Sequence, residues 1–545
     1  MEGMVVCAAN YVPLTPLSFL ERAAFVYGDR VSIVFGDTRY SWKQTRQRCI
    51  KLASALSLLG IIPGDIVVAM APNIPELYEL HFAVPMAGAV LCPLNTKLNA
   101  TALSLKLEQL EAKAIFVDYQ YIEVMQEALG ILSSKKVNPQ FLILIQDKSN
   151  PNDDQRLDYD KLLATGKDDF KAIYPKSECN PISICYTSGS TGQPKGVIYS
   201  HRATYLYSLG ESLRLGATRK TVFLWTVDMF RCNGWCFPWT MAAIGGTNVC
   251  LRNVTGNVIF DSIFIHNVTH FCGAPILLRQ IAEVVEKLDC NNHPRFPHQV
   301  NVTVAGAGAL PEPRVLSKFE SLGFVISCGY GMSEALGPVI WRTLTSSQAE
   351  NSNHDPESMV KVQEGMRSLI VEGVDVRDPI TMESVPADGK TIGEVMFRSN
   401  TLMLGYIKNA QGTNTAFSGD WYRTKDLGIK HPDGYIQMKD RVVDAIVVGE
   451  EIISSLEVEE VIVRHPMVLE AAVVGKPDDV LGEIPCAFVN LKEGCSVTAQ
   501  DIKDFCASRH LPEIMRPKHV FFKQLPRNST GKIQKHLLRR ELFMQ

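Results

Sequence analysis

Between two apolar stretches, Ile182–Tyr186 and Val197–Tyr199, the chain runs Thr187-Ser188-Gly189-Ser190-Thr191-Gly192-Gln193-Pro194-Lys195-Gly196. Hydroxyls, small residues and one lysine in this pattern make a loop whose N–H and O–H groups can wrap a phosphate, with Lys195 as a point charge. It is not a Walker loop: the spacing G-x-x-x-x-G-K-[ST] fails and no helix follows directly. An ordinary Ser/Gly hairpin would explain a lone loop of this kind, but not a string of this length. A second candidate, Gly331-Met332-Ser333-Glu334-Ala335, is one glycine short of the G-x-S-x-G elbow of serine hydrolases. Its carboxylate suits a hard cation better than an elbow. The run Gly306-Ala307-Gly308 is weaker: it offers bare backbone for a flat ring to lie against, or simply a tight strand–helix turn.

Such residues need rigid elements behind them. Ile66–Met70 reads as a strand, Asn73–Ala87 as an amphipathic helix and Val90–Cys92 as a returning strand. The rhythm recurs as a strand over Val302–Ala305, a helix over Pro311–Leu322 and a strand over Phe324–Ser327. This β-α-β spacing argues for parallel sheets covered by helices. Asp147–Asp154 and Ser346–Glu357 read as surface loops. From Asp444 onward the texture changes. Short strands (Ala471–Val474, Ala487–Leu491) alternate with helices (Ser454–Val463, Asp501–Arg509) in a unit of about a hundred residues. The expected organisation is α/β: a large N-terminal domain of parallel sheets, residues 1–441, and a small mobile α+β domain, residues 442–545.

Composition narrows the function classes. At 545 residues the chain is too long for one core, and 46% apolar with 21% charged residues excludes a disordered or fibrous protein. Lys plus Arg (55) nearly balance Asp plus Glu (58), with no basic stripe, so nucleic acid is not expected as a partner. The fourteen cysteines include no C-x-x-C pair; Cys232 and Cys236 are the closest couple, with no second pair at zinc spacing. Reduced thiols in a cytosol-like compartment are the expectation. The amino terminus shows no secretory pattern, and Trp235–Leu251 is too interrupted by Pro238, Gly245 and Gly246 to span a membrane. The carboxyl-terminal Leu-Phe-Met-Gln matches no Ser-Lys-Leu address, so a cytoplasmic location is expected.

The string Tyr186–Gly196 resembles the phosphate loop of the adenylate-forming superfamily of acyl-CoA synthetases, amino-acid adenylation domains and luciferases. Gly329-Tyr330-Gly331-Met332-Ser333-Glu334 resembles its Y-G-x-T-E motif, with Ser for Thr. Tyr422-Arg423-Thr424-Lys425-Asp426 resembles Y-R-T-G-D, with Lys425 for Gly; Asp440-Arg441 precedes the hinge; and Asn528-Ser529-Thr530-Gly531-Lys532 resembles the N-x-T-G-K motif. Within that superfamily, Glu79–Ala89, His270–Pro275 and His431–Tyr435 are most similar to plant acyl-activating enzymes of the short-chain, branched-chain and benzoate or cinnamate type.

The resemblance implies ATP, Mg²⁺ and CoA as cofactors and a small-molecule carboxylic acid as substrate, with an oligomeric state that could be monomer or homodimer. A carboxylate attacking the α-phosphate brings two anions together, so cations and N–H donors must meet the developing charge. Lys532 and Lys195 supply cations, and Glu334 supplies the oxygen for Mg²⁺. Thr187, Ser188, Gly189, Ser190, Thr191, Gly192, Gly308, Cys328, Gly329, Tyr330, Gly331, Ser333, Asp426, Arg441 and Gly449 complete the nucleotide and CoA contacts. Arg231, Asn233, Trp235, Gly306, Ala307 and Met332 line the acid pocket, which is expected to take a small or medium aliphatic, branched or aromatic acid.

Three further stretches depart from the family. The usual Ser-Gly-Gly-Glu stretch reads Val448-Gly449-Glu450-Glu451, and the usual Pro-x-Phe-His segment reads Asp228-Met229-Phe230-Arg231. Val443 stands at the hinge in place of a charged residue. One account is drift with compensation, Asp228 and Arg231 pairing three residues apart. The other is a weakened CoA step, the acyl group passing to an amine or alcohol or closing on itself. A binding relic is a further class, against which Lys532 speaks.

Overall fold

The computed structural model describes residues 3–133, 139–146, 157–187, 194–274, 276–287, 296–305, 313–344, 366–449, 451–527 and 532–543. Several expectations fall outside them: Ser188–Gly192, Gly306–Gly308, Glu450, Asn528–Gly531 and the loops Asp147–Asp154 and Ser346–Glu357. The described chain forms two compact units. The first holds Met1–Thr187, Lys195–Glu372 and Arg398–Thr415; the second holds Gly373–Phe397 and Ala416–Gln545.

The β-α-β reading holds in the first unit. Among the described residues one sheet runs, in spatial order, Gly405–Tyr406, Gly196–Ser200, Pro181–Tyr186, Val90–Pro93, Ile66–Met70, Ala114–Asp118 and Phe141–Ile145. Its five strands from Pro181–Tyr186 to Phe141–Ile145 are parallel. A second sheet carries Met366–Arg367, Gly337–Leu344, Phe324–Met332, Val300–Ala305, His270–Gly273, Val222–Leu224, Thr247–Val249, Val31–Phe35 and Thr38–Ser41. It is parallel from Phe324–Met332 through Val31–Phe35. Continuous apolar strands such as Ile66–Met70 and Ala114–Asp118 are buried along nearly their whole length, as strands covered on both faces must be.

Two elements differ from expectation in an instructive way. The helix read as amphipathic over Asn73–Ala87 spans Pro75–Met86 and is buried on every side. Its Glu79 is absorbed by partners, accepting from Arg48 Nε at 2.5 Å, Arg48 Nη2 at 3.1 Å and Tyr159 Oη at 2.5 Å. Asn73 lies before the helix. Its amide donates to Trp225 O and Val227 O and accepts from Met229 N–H, all within 3.1 Å, which fastens the segment leading to Arg231. The strand expected over Phe324–Ser327 continues to Met332 because it pairs antiparallel with Gly337–Leu344 along its far end.

The second unit has two antiparallel-rich sheets. Gly373–Arg377, Ile392–Arg398, Trp421–Lys430 and Phe417–Ser418 form one, with Ile436–Arg441 paired to Trp421–Lys430. Glu451–Ile453, Ile446–Val448, Gly482–Leu491 and Val468–Asp478 form the other, with His519–Phe522 parallel to Gly482–Leu491. Helices Ser455–Val463 and Ala499–Ser508 pack on one face of that sheet around Val458, Ile462, Val473, Ile502 and Cys506, and Lys535–Phe543 on the other through Leu538 and Leu542. The two apolar clusters give residues 446–542 a core of their own. No helix of the described residues is long and apolar enough to cross a membrane.

Candidate active site

Three pieces of the first unit meet at Ser333-Glu334. The strands flanking the Ser/Gly loop pair antiparallel, and the loop is closed at its base: Thr187 N–H donates to Lys195 O at 2.9 Å, and Lys195 N–H donates to Thr187 Oγ1 at 3.2 Å. The short strand Gly405–Tyr406 adds to the far side of Gly196–Ser200. This puts Tyr406 beneath Lys195, whose Nζ lies 4.7 Å from the centre of the ring. Tyr406 Oη donates to Glu334 Oε1 at 2.8 Å, and Met403 N–H donates to Glu334 O at 2.8 Å. Tyr199 Oη donates to Ser333 O at 2.7 Å. Burial raises the Tyr199 phenol well above its ordinary value, so it remains a donor.

The strand Phe324–Met332 delivers Cys328, Gly329, Tyr330, Gly331 and Met332 to the same end. Its glycines are there for space. A Cβ on Gly329 would fall 2.5 Å from the Trp341 ring opposite, and one on Gly331 would fall 2.1 Å from Gly337 O. Trp341 is itself covered by the Arg214 guanidinium at 3.6 Å, which Glu211 holds at 2.7 Å.

Arg231, Asn233 and Trp235 belong to an unusual turn. Cys232, Asn233, Gly234, Trp235 and Cys236 all have positive φ, between 45° and 60°. A left-handed conformation costs a non-glycine residue about 1–2 kcal/mol, so the surroundings must enforce it. Cys232 N–H donates to Cys185 Sγ at 3.1 Å, Trp235 N–H to Arg231 O at 3.3 Å and Cys236 N–H to Asn233 O at 3.2 Å. Gly234 has no room for a side chain, since its Cβ would lie 2.8 Å from the Trp225 ring. Asn233 is fully buried, and neither its amide oxygen nor its nitrogen has a partner among the described residues. Such an amide demands a ligand or a water. Arg231 pairs with Asp228, Nε to Oδ2, at 2.8 Å, so the two residues that depart from the family match each other's charge. Cys232 Sγ lies 3.5 Å from Ser333 Oγ. A thiol, not an imidazole, thus faces that hydroxyl, and no hydrolase triad is assembled there.

In the second unit Asp426 and Arg441 face each other across paired strands, Arg441 Nε lying 3.8 Å from Asp426 Oδ1. Lys425, where the family has glycine, does adopt a left-handed φ of 63°. Its N–H donates to Glu394 Oε1 at 2.9 Å, and Arg423 Nη2 reaches Glu394 Oε2 at 2.6 Å. Asp440 receives both N–H and Oγ–H of Ser455 at 2.6 Å, and Lys535 Nζ joins Ser455 Oγ and Glu459 Oε1 at the same distance. Gly449 has a φ of 64° with open space around its Cα. Lys532 is exposed, beside the bridge between Arg527 and Ile533.

Sequence reasoning missed Tyr406, Tyr199, Asn73 and Cys185. A tyrosine on a two-residue strand carries no local pattern, and its neighbour across the sheet is known only once Gly405–Tyr406 has paired.

Residues 20–407 match the family described as AMP-binding enzyme, and residues 457–532 match the AMP-binding enzyme C-terminal domain. The chain is 43% identical over 552 residues to a 2-methylpropanoate–CoA ligase of Humulus lupulus, covering 99% of this chain and 97% of that one. It is 42% identical over 550 residues to a peroxisomal butyrate–CoA ligase of Arabidopsis thaliana, covering 99% and 95%. Among solved structures it is similar to an o-succinylbenzoate CoA synthetase from Bacillus subtilis, in complex with ATP and magnesium ion. There the TM-score is 0.78 at 23% identity, over 96% of this chain and 99% of that one.

Proposed function

The chain belongs to the family of AMP-binding enzymes, and from that membership we propose that it is a carboxylate–CoA ligase acting through an acyl-adenylate. ATP, Mg²⁺ and CoA serve a small or medium aliphatic, branched or aromatic acid. The observation that carries this reading is the convergence of Lys195, Tyr406 and Glu334 beside the paired Thr187 and Lys195 at the base of the Ser/Gly loop.

Each residue's task follows from its chemistry. The loop from Thr187 to Lys195 wraps the β- and γ-phosphates. Glu334 is the residue that would hold Mg²⁺. One of its oxygens is fixed by Tyr406 and the other accepts no hydrogen bond among the described residues, the single-carboxylate arrangement that suits this cation. When bound, Mg²⁺ neutralises phosphate charge. Lys532 provides the cation for the meeting of carboxylate and α-phosphate, Asp426 accepts from the ribose hydroxyls, and Arg441 sits against the same sugar or phosphate. Gly306-Ala307-Gly308 offers bare backbone for the adenine ring and acyl group, while Gly329 and Gly331 let their strand close on Trp341 and Gly337. The paired strands at Asp426 and Arg441 support the ribose assignment, and residues 442–545 form the mobile piece, turning at Arg441–Val443.

CoA is the acceptor. The charge of Arg231, which departs from the family's histidine, is matched by Asp228 at 2.8 Å and so need not obstruct an anionic cofactor. The enzyme works in the cytosol, a reading supported by thirteen free cysteines among the described residues; a fluorescent fusion that collects in peroxisomes would overturn it. The activity is tested with acid, ATP and Mg²⁺, with and without CoA. Acyl-CoA should form, and pyrophosphate release should speed up when CoA is added. Release that ignores CoA would point instead to an amine, alcohol or internal acceptor. In the same assay butyrate, isobutyrate or benzoate should outperform palmitate; the opposite order would overturn the substrate class.

A further inference from the structure

We infer that Cys185 and Cys232 are an oxidisable pair, which hydrogen peroxide closes into an intramolecular disulfide that halts acid activation and a dithiol reductant reopens. The consequence for activity rests on the function proposed above; the chemistry of the pair does not.

The geometry is the first argument. Cys185 lies one residue before the end of the strand that feeds the Ser/Gly loop, and Cys232 opens the left-handed turn, 47 residues on. The backbone N–H of Cys232 donates to Cys185 Sγ at 3.1 Å, which brings the two cysteines side by side. The Cys232 side chain has only to turn from Ser333 Oγ, 3.5 Å away, toward the sulfur its own N–H already contacts. A covalent bond between them requires the short approach that disulfide geometry allows and no rearrangement of distant chain.

Reactivity is the second. Thiolate, not thiol, attacks peroxide, and a buried thiol in apolar surroundings is inert. Cys92, Cys236, Cys250 and Cys272 are of that kind, each pushed up by burial. Cys185 is buried too, yet it is lowered from its ordinary value by the neighbouring Cys232, whose thiol and N–H both favour the thiolate. Cys232, whose thiol donates to Ser333 Oγ at 3.5 Å, is raised. It is also the half-exposed member of the pair, so a small oxidant has an approach.

The steps balance. The Cys185 thiolate attacks one oxygen of hydrogen peroxide, the O–O bond breaks, and hydroxide leaves to become water with a proton from solution; Cys185 becomes the sulfenic acid. Cys232 then attacks Cys185 sulfur, the S–O bond breaks, and its thiol proton leaves with that oxygen as a second water. Two thiols and one peroxide become one disulfide and two waters. In the product Cys232 Sγ is drawn from its place 3.5 Å from Ser333 Oγ, beside Glu334, and the turn that carries Asn233 is tied to the strand below the Ser/Gly loop.

The test uses the whole chain. The reduced protein is treated with hydrogen peroxide, the oxidant is removed with catalase, free thiols are alkylated, and a non-reduced digest is mapped by mass spectrometry. A peptide linking Cys185 to Cys232 should accumulate in step with a fall of about tenfold or more in pyrophosphate release, and dithiothreitol should reverse both. Cys185→Ser keeps a side chain able to bond Phe230 O and Cys232 N–H, as Cys185 does at 3.4 and 3.1 Å; it should retain the reduced activity and resist peroxide. Should that variant not fold, the map of the wild-type chain decides alone. The inference is overturned by a map without the Cys185–Cys232 link, by a link that leaves activity unchanged, or by Cys185→Ser losing activity to peroxide at the wild-type rate. A link formed in a protein whose reduced form activates no acid would support the pair and count against the ligase reading instead.

Discussion

Tyr406 and Glu334, 72 residues apart in the chain, share a hydrogen bond of 2.8 Å, and the ring of the same tyrosine lies 4.7 Å from Lys195 Nζ. One side chain therefore contacts both Lys195 and Glu334, the two charges proposed to serve the nucleotide. Replacing Tyr406 by Phe keeps the ring under Lys195 and removes the hydrogen bond to Glu334. A bond of this type to a carboxylate contributes about 1.5–3 kcal/mol. Tyr406→Phe should thus slow pyrophosphate release about tenfold or more and raise the Mg²⁺ concentration needed for half-maximal rate, with little change in melting temperature. An unchanged Mg²⁺ requirement would show that Glu334 is positioned by other means.

Lys532 is exposed, so its removal should not unsettle the fold. Lys532→Ala should lower acid-dependent pyrophosphate release by about a hundredfold or more while leaving the unfolding transition in place. Wild-type release from the mutant would refute the role assigned to this lysine.

Lys425 occupies a left-handed backbone position at φ 63°, where a side chain other than glycine is strained by about 1 kcal/mol or more. Glycine there loses the strain and some chain entropy on folding, two effects of similar size and opposite sign. Lys425→Gly should hold or raise the melting temperature, whereas Lys425→Val, β-branched at the same φ, should lower it by several degrees. Equal losses in both variants would mean that the Lys425 side chain itself stabilises the unit.

Three imidazoles of the first unit, His81, His201 and His270, are buried and held down to about 4 by loss of hydration. Their ordinary value is 6.5. Between these values the unfolded chain binds protons that the folded chain refuses, so stability is full above pH 6.5 and falls as pH drops toward 4. Each group contributes a slope of up to about 1.4 kcal/mol per pH unit in that window. Denaturant unfolding at roughly pH 7, 6 and 5 should show the decline. His201→Gln, which can keep a bond to Thr15 Oγ1 (2.8 Å in the native chain), should flatten it. A stability independent of pH over this range would exclude the neutral buried state.

The sequence by itself determined the class of chemistry and most of the scaffold. Hydroxyls, glycines and a lysine between two apolar runs read as a proposed phosphate loop because such a reading depends on local spacing, and the motifs Gly329–Glu334 and Tyr422–Asp426 are equally local. The parallel strands were legible for the same reason: runs such as Ile66–Met70 are apolar along their length because both faces are covered. The helix Pro75–Met86 was placed within a residue or two but misread as half-exposed. Its Glu79 looks solvent-facing until Arg48 and Tyr159, from elsewhere in the chain, are seen to match it.

Only the tertiary structure decided what stands against what. Tyr406 became part of the site when Gly405–Tyr406 paired with Gly196–Ser200, and Lys425 replaced a glycine without losing its left-handed φ because Glu394 takes its N–H. Five successive positive-φ residues from Cys232 to Cys236 have no signature in side-chain type, since Asn233 and Gly234 alone favour that region. The conformation exists because Cys185, Trp225 and the bonds made by Asn73 close around it. Spacing along a chain records interactions between near neighbours; contacts closed over tens to hundreds of residues are fixed by the packing of whole elements, and they leave no local periodicity to read.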